Sequence, residues 1–110
     1  MNWIYPRIPA QPHGLIGVLL NPDAREDWIN AATDLGAYDE PEAEQALLRL
    51  ATSPNADEAL AVICGESLAT IWCRKRFVDP AKVARLTPAA RKVAISKIEA
   101  LRPDLLPKLP

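Results

Sequence analysis

The chain has few of the residues that build sheets, metal sites or disulfide-bonded scaffolds. Val, Ile and Thr are sparse while Ala and Leu dominate, a bias that favours helix over sheet. The single histidine, His13, and the two cysteines, Cys64 and Cys73, provide no set of zinc ligands. On one helix the two cysteines would lie about 13 Å apart along the axis, which is too far for a disulfide bond. We therefore expect free, buried thiols, no metal site and no cofactor.

Long apolar runs are also missing. The apolar run at residues 15–20 is broken by a glycine and is too short to cross a bilayer. The first residues lack a basic start, and Pro6, Pro9 and Pro12 interrupt them, which argues against a secretory signal peptide. The sequence therefore predicts a cytoplasmic protein with no membrane contact, folded as a single domain over residues 1–110.

No group of residues that would support catalysis stands out. Gly65-Glu66-Ser67 resembles part of a nucleophile elbow, but that motif requires a second glycine, where this chain has Ala69, and a preceding strand. No general base can be named for Ser67, and no glycine-rich phosphate loop is present. The many carboxylates are predicted on solvated faces, where no burial raises their pKa. We therefore expect no enzymatic activity and assign no catalytic residues.

The pattern that is present centres on one long helix, predicted over residues 53–76. Ser53 and Pro54 supply its start, and Asn55 with Glu58 offers an alternative capping box. Three basic residues in its last turn complement the helix dipole. Glu66 is the only charged residue over its middle part, so the helix must be covered on several sides. Gly65 is expected to allow close packing beneath Trp28 or Trp72.

Five further helices are predicted around this central one, over residues 12–20, 22–35, 40–51, 80–86 and 88–101. Gly36 is expected to end the second helix in the left-handed conformation. Leu20 and Leu101 are expected to face the core. Residues 1–11 are predicted to be an extended segment whose aromatics cover one end of the core. Residues 102–110 form a proline-rich tail, pinned by Leu105 and Leu106.

The long helices align at a period of 33 residues. The corresponding positions are Trp28, Ala61 and Ala94; Ala32, Gly65 and Ile98; and Leu35, Leu68 and Leu101. Two-helix repeats of about this length are typical of α-solenoids, in which each unit contacts its neighbours. Coincidence among frequent Ala and Leu residues is the alternative. The predicted fold is all-α, a solenoid-like array of about three antiparallel helix pairs.

These segments resemble HEAT repeats of the short, phycobilisome-lyase-like type. Residues 29–36 (INAATDLG), 39–43 (DEPEA) and 46–50 (ALLRL) are similar to the family pattern AAxxLG…DPEAxxxLLxLL, and residues 64–69 (CGESLA) repeat its first part with substitutions. The resemblance extends over about residues 12–101 and is poorest at 74–86. It implies scaffolding and protein or nucleic-acid binding through the second helix of each pair. As a further alternative, it implies a role as an accessory subunit of a cofactor-attaching lyase.

Charge is divided unevenly along the chain. Residues 1–60 hold three Arg against ten Asp and Glu, a net charge of −7, whereas residues 61–110 hold ten Lys and Arg against four acids, a net charge of +6. Four polar residues of the predicted second helix fall in one narrow arc, with Glu26 beside them: Asp23, Asp27, Asn30 and Asp34. Glu66 is expected to project from the central helix beside the small residues Ala59 and Val62. An ordinary solvated helix face is the alternative interpretation.

We predict that these residues form an acidic concave surface that binds a basic protein partner. A small single-domain protein with a concentrated acidic face resembles the bacterial immunity and antitoxin proteins of contact-dependent inhibition, which neutralise a cognate nuclease-like toxin. The alternative is a nucleic-acid-binding helical repeat that uses the basic C-terminal half. Its candidate residues are Arg74, Lys75, Arg76, Lys82, Arg85, Arg91 and Lys92. The oligomeric state stays open.

Overall fold

The computed structural model describes residues 12–108, and the predicted extended segment at residues 1–11 lies outside the described residues. Six α-helices form most of this part of the chain. They are α1 (His13–Leu20), α2 (Trp28–Leu35), α3 (Pro41–Ala51), α4 (Glu58–Lys75), α5 (Pro80–Arg85) and α6 (Pro88–Leu101). Two 3-10 helices, Arg25–Asp27 and Pro103–Lys108, precede α2 and follow α6. No strand occurs between residues 12 and 108, so the predicted all-α class is confirmed for the described chain.

Helix α4 forms the centre of the molecule and packs against α2, α3 and α6. Its buried residues extend over more than one side of the helix: Leu60, Ala61, Cys64, Gly65, Ser67, Leu68, Ala69, Ile71, Trp72 and Cys73. Each large apolar side chain buried in this way contributes roughly 1.5–3 kcal/mol. The prediction that the central helix is covered on several sides is confirmed.

Helix α4 begins at Glu58, five residues later than predicted. The carboxylate of Asp57 accepts the Leu60 N–H at 3.1 Å and caps the helix. The Ser53 hydroxyl instead accepts the Asn55 N–H at 3.3 Å within a preceding turn. The prediction was wrong because several residues in this stretch can cap a helix, and composition does not say which of them does so.

Helix α2 is also shorter than predicted. The side-chain oxygen of Asn21 accepts the Asp23 N–H at 2.9 Å, which makes a local turn instead of a helix cap. A 3-10 turn follows, and regular α-helix starts only at Trp28. The predicted arc of acidic residues assumed α-helix from residue 22 onward, whereas only Asn30 and Asp34 of that arc lie within the regular α-helix and Asp27 directly precedes it.

Two glycines occupy close contacts with neighbouring helices. Gly36 has a φ of −62°, so the predicted left-handed conformation is wrong. A Cβ atom at Gly36 would lie 3.1 Å from the Ser67 Oγ, which explains the glycine by packing. A Cβ at Gly65 would lie 2.7 Å from the carbonyl oxygen of Ala90. Close packing at Gly65 is therefore present, but its partner is α6, and the predicted tryptophan partner is wrong.

Two leucines that were predicted to face the core are exposed. Leu20 is 39% exposed and Leu101 is 49% exposed, so the prediction that they face the core is wrong. Leu101 lies at the C-terminal end of α6, where the chain turns into the 3-10 helix Pro103–Lys108. Leu105 in this 3-10 helix is buried and Leu106 is half-buried, as predicted. None of the helices described here is both long and apolar enough to span a bilayer.

Candidate functional site

The acidic segment, defined as Asp23, Glu26, Asp27, Asn30 and Asp34, is exposed at every position. Two of its carboxylates lie in the 3-10 turn Arg25–Asp27, and Asn30 and Asp34 lie on α2. None of its four carboxylates takes part in an ion pair within the described residues. Ile29, on the same short helix, is 40% exposed. The segment therefore presents negative charge together with an accessible apolar side chain.

Arg25 lies within this segment but does not neutralise it. Its guanidinium group lies 3.7 Å from the carboxylate of Asp57 and 5.7 Å from the centre of the Trp28 ring. The indole N–H of Trp28 donates to the Asn21 carbonyl at 2.9 Å, which holds the ring in place. Arg25, the only Arg or Lys between residues 12 and 48, is thus directed towards the start of α4 and forms no ion pair with its acidic neighbours.

Glu66 lies in an open cleft of about 390 Å³ between the C-terminal part of α2, α4 and α6. The cleft is lined by Thr33, Gly36, Ala37, Glu66, Ser67, Thr70, Arg74 and Lys97. The ammonium group of Lys97 lies 3.9 Å from the Glu66 carboxylate, and both side chains are partly exposed. The acidic segment does not line the cleft, and neither do Ala59 and Val62. The structure therefore separates Glu66 from the other predicted site residues, although α2 contributes to both regions.

The three hydroxyl groups in this cleft all donate hydrogen bonds to backbone carbonyls. Thr33 donates to the Ile29 carbonyl at 2.9 Å, and Thr70 donates to the Glu66 carbonyl at 3.1 Å. Ser67, which is buried, donates to the Ala32 carbonyl at 2.7 Å and ties α4 to α2. The three hydroxyl oxygens thus keep only their acceptor capacity.

Arg74 lies at one end of the cleft and joins the end of α4 to the loop between α2 and α3. Its Nε donates to the Asp39 carboxylate at 2.8 Å, and its two terminal nitrogens donate to the carbonyls of Gly36 and Tyr38. Lys75 donates to the Asp39 carbonyl at 3.0 Å. The sequence analysis missed this cluster because its partners are about 35 positions apart. The opposite charges of Asp39 and of the basic residues at the end of α4 were a signal.

Glu44 on α3 forms a second cluster that the sequence analysis missed. Its carboxylate accepts the Trp72 indole N–H at 2.7 Å and the Lys82 ammonium at 3.0 Å. Partial burial acts to raise the pKa of Glu44, but these hydrogen bonds and the charges of Lys82 and Lys75 outweigh it. The pKa therefore lies below its ordinary value. This cluster links α3, α4 and α5.

The cysteines, His13 and Ser67 do not lie together in one site. Cys64 and Cys73 are free and buried, as predicted, and burial raises the pKa of Cys64 to about 12. His13 lines a different groove, with Glu42 and Arg49, from the cleft that contains Ser67. No three His, Cys, Asp or Glu side chains within residues 12–108 come together in a way that could hold a metal ion.

Comparison with known proteins found no relative of this chain. No protein-family model, curated protein or solved structure matches the chain.

Proposed function

We propose that this chain is a small, non-catalytic protein-binding domain whose partner is a basic protein. In its most concrete form, the chain acts as an immunity or antitoxin protein that neutralises a cognate nuclease-like toxin. The observation that carries the proposal is the acidic segment, with four exposed carboxylates that have no ion-pair partner within the described chain. Exposed carboxylates at this density repel one another, and a cationic partner relieves that repulsion.

The proposed mechanism is occupation of a cationic cleft. A nuclease binds the phosphates of its substrate with basic residues, and the carboxylates of the acidic segment take the place of those phosphates. Long-range attraction speeds the encounter between the two proteins. Burial of Ile29, which is 40% exposed, supplies apolar contact area that slows release.

We also propose that the helices form a short HEAT-like array of three pairs, in which α2, α4 and α6 provide the binding surface. Three features support this arrangement. Helix α1 packs on α2 and α3 packs on α4, while α4 contacts both α2 and α6. The second helices begin at Trp28, Glu58 and Pro88, an equal spacing of 30 residues that differs from the predicted period of 33. The described chain is elongated, with extents of 47, 30 and 19 Å.

The basic C-terminal half gives less support to nucleic-acid binding. Most of its described cations are engaged inside the chain: Arg74 and Lys75 with the α2–α3 loop, Lys82 with Glu44, Lys97 with Glu66 and Arg102 with Asp104. Arg76, Arg85 and Lys92 are the exposed cations of this half that have no such contact among the described residues. Three scattered charges provide few phosphate contacts, so affinity for nucleic acid would be weak at physiological salt.

Charge reversal at the acidic segment tests the proposal. The wild-type protein and the Asp27→Lys/Asp34→Lys variant are each used as bait in a lysate of the native host, and the retained proteins are compared. We expect the wild type to retain a basic protein that the variant loses, and the retained protein to have nuclease activity that added wild type suppresses. The attraction between the two proteins should also weaken as salt is raised.

A matched variant makes this test specific. Glu40→Lys/Glu42→Lys changes the net charge by the same amount at exposed positions at the start of α3. We expect this variant to retain the partner. Equal retention by all three proteins would contradict the proposal, and salt-sensitive binding of labelled RNA or DNA by the wild type would favour the nucleic-acid alternative.

A further inference from the structure

Helix α1 has less cover than the other helices. Only Leu19 of its eight residues is buried, whereas α2, which has the same length, buries three. Its Leu20 is 39% exposed, and its two glycines lower its helix propensity. Because so short a helix is marginal in water without tertiary contacts, an additional apolar contact would stabilise α1.

A groove of about 290 Å³ lies between α1 and α3. Its lining is apolar at Ile16, Leu20 and Ala46 and polar at His13, Glu42, Gln45 and Arg49. Neither Glu42 nor Arg49 takes part in an ion pair within residues 12–108. The α1–α3 groove therefore combines an apolar surface with one carboxylate and one guanidinium group that are open to a partner.

The groove starts where the chain enters α1. Pro12 is buried, and the next residue, His13, lines the groove. From His13 to Leu20 the helix rises about 10.5 Å, at 1.5 Å per residue. A proline-rich segment in the polyproline II conformation advances about 3.1 Å per residue, so about four residues cover this length. Residues 1–11 are thus long enough to turn back at Pro12 and follow the groove.

We propose that residues 1–11 of the same chain occupy the α1–α3 groove. The segment carries Trp3, Ile4 and Tyr5, three large apolar side chains that match the apolar part of the lining. Its prolines have no backbone N–H group, so burying them leaves no donor without a partner. The inference does not rest on the proposed function, because the acidic segment and the groove lie on different helices.

The charges of the segment and the groove are complementary as well. Arg7 is the only charged side chain of residues 1–11, and the carboxylate of Glu42 is available to it. The exposed guanidinium group of Arg49 can stack on the ring of Trp3 or Tyr5. Both charged side chains of the groove lining would thereby gain a partner from the segment.

Nuclear Overhauser spectra of the full chain test the proposal. We expect cross-peaks between the ring protons of Trp3 and the methyl groups of Ile16 and Leu20. Leu20→Asn should remove them, because it replaces an apolar wall of the groove with a polar amide. Leu101→Asn is the matched control: this leucine is 49% exposed at the end of α6, and its replacement should leave the cross-peaks in place.

Hydrogen exchange of the α1 amides gives a second readout. Trp3→Ala should speed exchange within His13–Leu20 by about tenfold, since the helix loses apolar cover and opens more often. Asn2→Ala, which changes a small polar side chain in the same segment, should leave the exchange rates unchanged. Equal rates in the wild type and Trp3→Ala would contradict the proposal.

Three results of the spectra would also overturn it. The first is the absence of cross-peaks between Trp3 and the groove. The second is cross-peaks from Trp3 to Ala61 or Ala89, which line a different groove at the starts of α4 and α6. The third is cross-peaks that arise only between differently labelled copies of the chain, which would make a second copy the occupant.

Discussion

At the scale of single residues, two glycines lie where an added Cβ atom would come too close to a neighbouring helix. Gly65 faces the Ala90 carbonyl across the contact between α4 and α6, where an added Cβ would lie at 2.7 Å from the oxygen. Gly36 faces the Ser67 side chain in a similar way across α2 and α4. The first contact is the stricter one because a backbone oxygen cannot rotate away, whereas a serine side chain can.

We expect Gly65→Ala to destabilise the protein by about 1–3 kcal/mol, since α6 must shift to admit the methyl group. Urea unfolding followed by circular dichroism measures this change. Gly17→Ala is the matched control: Gly17 lies in α1 with nothing within 4 Å of the added carbon. That variant should gain up to about 1 kcal/mol from the higher helix propensity of alanine. Similar changes in both variants would contradict the contact with Ala90.

At the scale of elements, polar side chains fix how the helices stack. The Arg74 guanidinium holds the loop between α2 and α3 against the end of α4, through two carbonyls and one carboxylate. Glu44 holds α3 to α4 through Trp72 and to α5 through Lys82. Helix α5 has only six residues and little apolar surface of its own, so the contact with Glu44 adds to the burial of Val83 in keeping it docked.

Glu44→Gln should lower the free energy of unfolding by about 1–2 kcal/mol at neutral pH, because a charged hydrogen-bond acceptor is lost. The folded protein lowers the pKa of Glu44 below its ordinary value of 4.5, so the stabilisation is complete above that pH and is lost as pH falls through the folded pKa. We therefore expect the stability difference between wild type and variant to shrink in acid.

Urea unfolding at a series of pH values measures this dependence. The control, Glu42→Gln, removes an exposed carboxylate from the same helix and should change stability by less than about 0.5 kcal/mol. A difference between wild type and Glu44→Gln that stayed constant from neutral to acid pH would show that the charge of Glu44 does not contribute.

At the scale of the whole molecule, α4 is the central helix, and α2, α3 and α6 pack against it. Both thiols lie on it, with Cys64 fully buried and Cys73 nearly so. Burial raises the pKa of both cysteines. A thiolate forms there only when the surrounding helices open, so thiol reactivity reports on the stability of the whole stack.

We expect both cysteines to react with a thiol reagent at least about 100-fold more slowly in the folded protein than in urea, because the reactive thiolate is buried and disfavoured. With an aromatic disulfide as the reagent, the absorbance of the aromatic thiol that it releases measures the rate. The variants Cys64→Ala and Cys73→Ala give the rates of the two cysteines separately. Labelling of the folded protein at the rate of the unfolded chain would show that α4 is not covered in solution.

The sequence by itself determined the helical class, the helix boundaries marked by Asp79-Pro80 and Thr87-Pro88, and the apolar faces of the long helices. These features depend on residues within about four positions of one another, which is the range of helix capping and of the helical repeat. The same reasoning predicted the exposure of the acidic segment but gave it the wrong helical geometry, because the turn at Asn21 competes with the helix.

Only the tertiary structure decided which side chains meet. Arg74 joins Asp39 across 35 positions, Glu44 joins Trp72 across 28 and Lys82 across 38, and Gly65 meets Ala90. The cleft that contains Glu66 arises in the same way, from the approach of three helices. Local periodicity says which face of a helix is apolar, but the partner of that face depends on how the helices stack, and this is settled by the packing of the whole chain.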